Sequence, residues 1–324
     1  MQPIRTMLAV VFAVTLGGCQ QHSPTGGTVR RAYPQERTIA VIPKGTTHVY
    51  WQAVRQGAEA AGQEFGYQIR WIGPERETDR ERQIQIVEDV IAQRVAGVVL
   101  APLDRVALVP AVEKLEQLNI PCVIVDSGVN TTRRLSFIAT DNFQAGALAA
   151  RRMGVSLRGR GNVLLVRYVQ GSDSTAEREN GFTATLAKEF PRIRIVDSKY
   201  GQDTVETALQ ATEDLLTRNR DVQGLFASNA SASVGAFQAL QAHALTKVTM
   251  IGFDPEKRLL DGLRAGQIDS IVVQDPYKMG YEGVKVIALH ARQQPISASL
   301  DTGVTLVTRE SLTDATVVRL LASQ

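Results

Sequence analysis

The sequence predicts an α/β protein of two doubly wound, parallel-sheet lobes, and three observations carry that prediction. Short, near-continuous apolar runs rich in β-branched residues recur along the chain, as in strands buried on both faces. Helix-length segments separate them, and alternating βα units imply a parallel sheet with right-handed crossovers. The series then starts again in the second half: residues 97–101 leading to Asp126 have a counterpart in residues 224–227 leading to Asp254. The interval from Gly97 to Asp126 is 29 residues and from Gly224 to Asp254 is 30, so two lobes of similar topology are expected.

Residues 39–42, 68–72, 97–101, 122–126 and 137–139 read as the strands of the first series. Residues 79–94 read as a helix, because Ile84, Val87 and Ile91 fall at i, i+3 and i+7 on one stripe. Residues 162–166, 193–197, 224–227, 248–253 and 268–273 read as the strands of the second series. At 324 residues, 44% hydrophobic and 21% charged, the chain has ordinary globular proportions and material for two domain-sized lobes. Its charge of +3 is interspersed. Arg133 and Arg134, like Arg151 and Arg152, are isolated pairs without interleaved aromatics, which reads as a solvated face and argues against a nucleic-acid partner.

The N-terminus carries an address. Arg5 precedes an apolar run over residues 7–14 that is too short to span a bilayer, and small residues lead into Leu16-Gly17-Gly18-Cys19. This describes an export signal over residues 1–18. It resembles the lipobox of bacterial lipoproteins, in which Cys19 would carry palmitate-type acyl chains and become the first residue of the mature chain. On composition alone Cys19 could instead be an ordinary buried thiol. Residues 19–37 are polar, contain Gly, Pro, Ser and Thr and lack apolar periodicity, as a flexible tether does. The expected location is the cell envelope, in the periplasm and lipid-anchored to a membrane.

Chemistry-bearing patterns are sparse. Cys122 lies in an apolar run and is expected as a buried thiol without a partner. His22, His48, His243 and His290 have no ligand spacing, so neither a metal nor a cofactor is expected. The chain has no G-x-S-x-G elbow and no Walker loop, and residues 154–161 lack dinucleotide-fingerprint spacing. A non-enzyme is expected, although Asp126 and Asp254 form a carboxylate pair of the kind glycosidases use. Strand ends are more telling: Asp126 closes one apolar run, and Asn229 and Asp254 follow two others. Ligands of open parallel sheets bind outside the carboxyl ends of the strands. With the lobes face to face these groups converge on one cleft; alternatively each caps the next helix or turn.

Residues 39–42 followed by Thr46-Thr47-His48-Val49-Tyr50-Trp51, then Gly57-Ala58, the run ending in Asp126, Thr140-Asp141-Asn142, Arg178-Glu179-Asn180-Gly181-Phe182, Asn229, Gly252-Phe253-Asp254 and Gln274 resemble, in order and spacing, the type I periplasmic solute-binding proteins of the ribose and galactose kind. These are the extracytoplasmic receptors of ABC importers, and the resemblance spans about residues 38–309. It implies two lobes joined by three crossover segments, one of residues 38–140 with 275–303, the other of 141–274 with 304–324. It further implies a monomer that closes around a small polyhydroxyl ligand, a monosaccharide, sugar alcohol or cyclitol, and delivers it to permease subunits.

The same resemblance places ligand contacts at His48, Tyr50, Trp51, Asp126, Thr175, Asn229, Phe253, Asp254 and Gln274. Tyr50 and Trp51 suit the C–H faces of a sugar; the alternative is ordinary core packing of the first helix. Four departures from the ribose pattern stand at His48, Ala101, Ser127 and Ala176, where it has Asn, Asn, Arg and Arg; they argue against ribose itself. Thr175, Asp104 and Ser231 are expected to fill the space. A ligand-sensing receptor for a membrane kinase or chemoreceptor would carry the same lobes. A sugar-responsive repressor would need a DNA-binding helix pair where this chain has an export signal.

Overall fold

The computed structural model describes residues 37–322; the export signal, Cys19 and nearly all of the tether lie outside the described residues. Two six-stranded sheets share one plan. The first holds β1 (Thr38–Ile42), β2 (Gln68–Trp71), β3 (Gly97–Leu100), β4 (Cys122–Val125), β5 (Ser136–Ala139) and β11 (Ser299–Asp301), in the order β11-β5-β4-β3-β1-β2. The second holds β6 (Arg160–Arg167), β7 (Arg192–Tyr200), β8 (Gly224–Ala227), β9 (Thr249–Phe253), β10 (Ser270–Val273) and β12 (Thr305–Thr308), in the order β12-β10-β9-β8-β6-β7. All pairings are parallel except β10 with β12. The central strands β3, β4, β8 and β10 are buried along their whole length.

Three features depart from the sequence reading. The edge strands β2 and β7 are half exposed and not buried on both faces, because the outer edge of a sheet has no neighbouring strand to cover it. Strand β4 stops at Val125 because Asp126 adopts φ +63°, outside the extended region. On α2 (Arg80–Ala92) the buried stripe is Gln83, Ile86, Val87, Val90 and Ile91, with Ile84 at its margin.

Helices cover both faces of each sheet. In the first lobe α1 (Val49–Phe65) packs on α9 (Pro276–Ala291), and in the second α4 (Asn142–Ser156) packs on α5 (Asp173–Glu189). Both pairs touch backbone to backbone. A Cβ at Gly57 would lie 2.0 Å from Tyr277 O and one at Gly280 1.9 Å from Val54 O; at Gly146 and Gly181 the same atom would meet Arg178 O at 1.9 Å and Phe143 O at 2.0 Å. Only glycine permits these approaches.

The chain crosses between sheets three times, after β5, after β10 and between β11 and β12. Asp141 caps α4 by accepting from Gln144 N, and Asp275 caps α9 by accepting from Lys278 N, so two crossovers run straight into helix starts. Asp141 N donates to Asp301 Oδ1 (3.1 Å) and Thr140 Oγ1 to Gly303 O (3.3 Å), which ties the first and third crossovers together.

Candidate ligand cleft

The carboxyl ends of the two sheets face one another across a narrow cavity of about 40 Å³. Its walls are the residues that follow strands: Lys44 after β1, Asp126 after β4, Asn229 after β8, Asp254 after β9 and Gln274 after β10, with His48, Tyr50 and Trp51 from the start of α1 and Thr175 from α5. Phe253, expected as a contact, does not line it. Side chains alternate along β9, so Phe253 shares a face with Ile251 in the core of the second lobe. Its ring lies beneath the Arg178 guanidinium, 3.9 Å from the centroid. Asp104 and Ser231 are also absent from the wall. Asp104 pairs with Arg80 at 2.7 Å and accepts from the backbone of Val106 and Ala107, while Ser231 Oγ accepts from Asn229 Nδ2.

At one end of the cavity the buried Lys44 ammonium lies 2.7 Å from Asp126 Oδ2. That contact is a buried, charge-assisted ion pair. Asp126 Oδ1 accepts from the Tyr50 hydroxyl at 2.8 Å. Burial by itself would raise the Asp126 carboxyl, but Lys44 and Arg178 outweigh it and hold the group below its ordinary value. Burial and the Asp126 charge push the Tyr50 phenol well up, so it stays a proton donor.

At the other end Arg178, only 2% exposed, is anchored on three sides. Nε donates to Asn142 Oδ1 (2.8 Å), one terminal nitrogen to Ser228 O (3.1 Å) and the other to Gln274 Oε1 (2.7 Å). Gln274 passes this order on, donating from Nε2 to Asp254 Oδ1 at 3.0 Å. Desolvation dominates at Asp254 and lifts its carboxyl to about 6, against the opposing pull of Arg178.

Two expected contacts double as helix caps. His48 Nδ1 accepts from Tyr50 N at the start of α1, leaving Nε2 at 3.5 Å from Glu256 Oε1 of the opposite lobe. Asn229 Oδ1 accepts from Ala232 N at the start of α7 (Ala230–Ala242). Trp51 is 2% exposed, belongs to the core of the first lobe and also reaches the cavity. Its indole donates to Glu77 Oε1 at 2.8 Å, and Glu77 Oε2 accepts from the Tyr168 hydroxyl of the second lobe at 2.6 Å.

Lys44, Glu77, Tyr168, Ser174 and Arg178 line the cavity without having been singled out as contacts. Lys44 had a readable signal, as a polar residue directly beyond an apolar strand. Glu77 and Tyr168 had none, because the bond that joins them runs between the lobes. Chemically, the wall offers carboxylate acceptors, amides that bond in both directions, a fixed guanidinium and the aromatic rings of Tyr50, Trp51 and Tyr168, which matches desolvated hydroxyls and C–H faces. Among the described residues no three His, Cys, Asp or Glu side chains gather to hold a metal ion. Cys122 is buried and away from the cleft, its thiol pushed up to about 12 by desolvation.

Residues 39–295 match the family model of the periplasmic binding protein domain. The chain is 26% identical over 270 residues to the ribose import binding protein of Bacillus subtilis, covering 82% of this chain and 87% of that one. It is 26% identical over 312 residues to the D-ribose/D-allose-binding protein of Pseudomonas aeruginosa, covering 92% and 97%. A carbohydrate transporter solute-binding protein from Agrobacterium radiobacter, solved with D-arabinose, has a TM-score of 0.85 at 34% identity, covering 88% of this chain and 98% of that one. An ABC transporter solute-binding protein from Agrobacterium vitis with bound D-fucose also gives 0.85 at 34% identity, covering 88% and 99%.

Proposed function

This chain belongs to the periplasmic binding protein family, and from that premise we propose that it is the extracytoplasmic solute-binding protein of an ABC sugar importer. It takes one monosaccharide into the cleft between its lobes and presents the closed form to a permease. The observation that carries this reading is the pair of buried strand-end carboxylates, Asp126 and Asp254, set across a small cavity with Gln274, Asn229, Arg178, Tyr50 and Trp51 around it. Of the relatives named above, two are called ribose or D-ribose/D-allose proteins and two were solved with D-arabinose or D-fucose bound, which supports a pentose or hexose over a sugar alcohol or cyclitol.

No bond of the ligand is broken in this mechanism. Asp126 and Asp254 accept ligand hydroxyls, Asn229 and Gln274 orient them, and Tyr50 and Trp51 cover an apolar face. A buried acceptor left unmatched costs about 1–3 kcal/mol, so the hydroxyl pattern sets specificity. Contacts from both lobes favour the closed state when ligand is present. Cys19 carries the lipid anchor that keeps the protein beside its permease.

A thermal-shift screen of the mature chain against D-arabinose, D-fucose, D-ribose, D-allose and a cyclitol tests the reading. A sugar at 100 times its Kd should add about 2.7 kcal/mol of stability. Asp126→Ala and Asp254→Ala should remain folded and lose that shift. If no monosaccharide stabilises the protein, the sugar reading fails; if both variants keep full affinity, the site assignment fails.

A further inference from the structure

The Lys44 ammonium has three N–H donors, and four oxygens surround it: Asp126 Oδ2 at 2.7 Å and the hydroxyls of Ser127 at 2.6 Å, Ser174 at 3.1 Å and Ser172 at 3.5 Å. Ser127 belongs to the first lobe with Lys44, whereas Ser172 and Ser174 stand at the start of α5 in the second. The serines close the ring among themselves. Ser127 Oγ donates to Ser174 Oγ at 2.8 Å and accepts from Ser174 N at 3.1 Å. Beside them Gly128 N donates to Asp173 Oδ2 at 3.1 Å, an approach that a Cβ on Gly128 would obstruct at 2.5 Å.

Lys44 and the three serines are 3% exposed or less. A buried ammonium is costly unless every donor is matched. Within its own lobe Lys44 finds only Asp126 and Ser127; the third donor is shared by Ser174 and Ser172, which arrive when the lobes meet. With its donors directed at protein oxygens, the ammonium holds none for a ligand.

We propose that Lys44, Ser127 and Ser174 form an interlobe lock, a set of positioning residues that draws the cleft shut with protein groups alone and fixes the Asp126 carboxylate beside the ligand. The lock deepens the reading of the cleft as a closing sugar site and rests on it. A protein so built samples its closed form before ligand arrives and releases ligand slowly, because opening must break bonds the ligand does not make.

Small-angle X-ray scattering of the ligand-free mature chain, with stopped-flow dissociation of D-arabinose, tests this. Ser127→Ala/Ser174→Ala should enlarge the ligand-free radius of gyration and speed dissociation roughly tenfold or more, with association changed less than twofold; Lys44→Met should do the same. Unchanged scattering with dissociation within twofold of wild type overturns the lock. So does faster dissociation with unchanged scattering, since the serines would then be touching the sugar itself. Urea melts establish that the variants are folded, and Ser174→Ala alone, with a smaller shift in the same direction, serves if the double variant is not. Should D-arabinose fail to bind wild type, the sugar probe is wrong and scattering alone decides the lock.

Discussion

Asp126 and Asp254 occupy equivalent places in the two lobes and behave in opposite ways. Each follows the fourth strand of its sheet and has φ +63°. Each donates its backbone N–H to the neighbouring strand, Asp126 to Ile138 O at 3.0 Å and Asp254 to Val272 O at 2.8 Å. Both are buried. Yet the Asp126 carboxyl is held below its ordinary value and the Asp254 carboxyl is lifted to about 6. The backbone is duplicated and the surroundings are not: Asp126 faces a cation 2.7 Å away, whereas Asp254 has the neutral amide of Gln274. Position within a lobe decides where a carboxylate stands, and side chains from other elements decide whether it is charged.

The largest effect expected from this contrast is on stability. Asparagine keeps the shape and tolerates the left-handed backbone, so Asp126→Asn and Asp254→Asn isolate the charge. Asp126→Asn strands a buried ammonium and should cost about 3 kcal/mol or more. Asp254→Asn removes a charge that burial disfavours and should be neutral or stabilising at pH 8. Urea unfolding of both variants checks the pair, and equal losses would break the contrast.

Next comes the pH dependence. Asp254 is raised, so between its ordinary 3.8 and about 6 the folded state holds a proton that the unfolded state has released. Stability therefore falls as pH rises through that window, by about 3 kcal/mol at most. Asp126 is depressed, so its contribution is complete above 3.8 and is lost as pH falls through its lower folded value. Melting curves across this range should show the Asp254 slope vanish in Asp254→Asn. A hydroxyl donated to Asp254 favours the carboxylate, so sugar affinity should rise with pH up to about 6, with proton release visible by calorimetry.

The smallest effect belongs to the rim. His48 and Glu256 face each other at 3.5 Å with about a quarter of each side chain exposed. Glu256→Gln should change stability by less than about 1 kcal/mol, measured in the same urea series. A larger loss would mean that this pair, and not the buried carboxylates, distinguishes the two sides of the cleft.

Much of the site was legible because it sits where apolar runs end. Asp126, Asp254 and Gln274 each follow a strand, and a polar group there must face whatever lies beyond the sheet. For Asn229 the two available readings, cap and cleft wall, are compatible, and His48, read only as a contact, is also a cap: each side chain bonds to a helix start and still lines the cavity. Alternation along β9 turns Phe253 into the core, beneath Arg178. The bond between Glu77 and Tyr168 runs between lobes and leaves no pattern along the chain, and Asp104 and Ser231 bond to nearby protein groups that the sequence does not reveal.

The sequence by itself determined the βα alternation, the repetition of that alternation and the polar residues at strand ends, since all three are local patterns of apolar period and β-branching. It also specified Gly57, Gly146, Gly181 and Gly280, though not what touches them. The tertiary structure alone decided which lone pairs meet which donors, within a lobe and across the cleft. It brought Lys44 to Ser174, Glu77 to Tyr168 and Arg178 to Gln274. Those pairings are long-range, and the charge state of a buried group depends on distances of a few ångströms that no interval along the chain encodes.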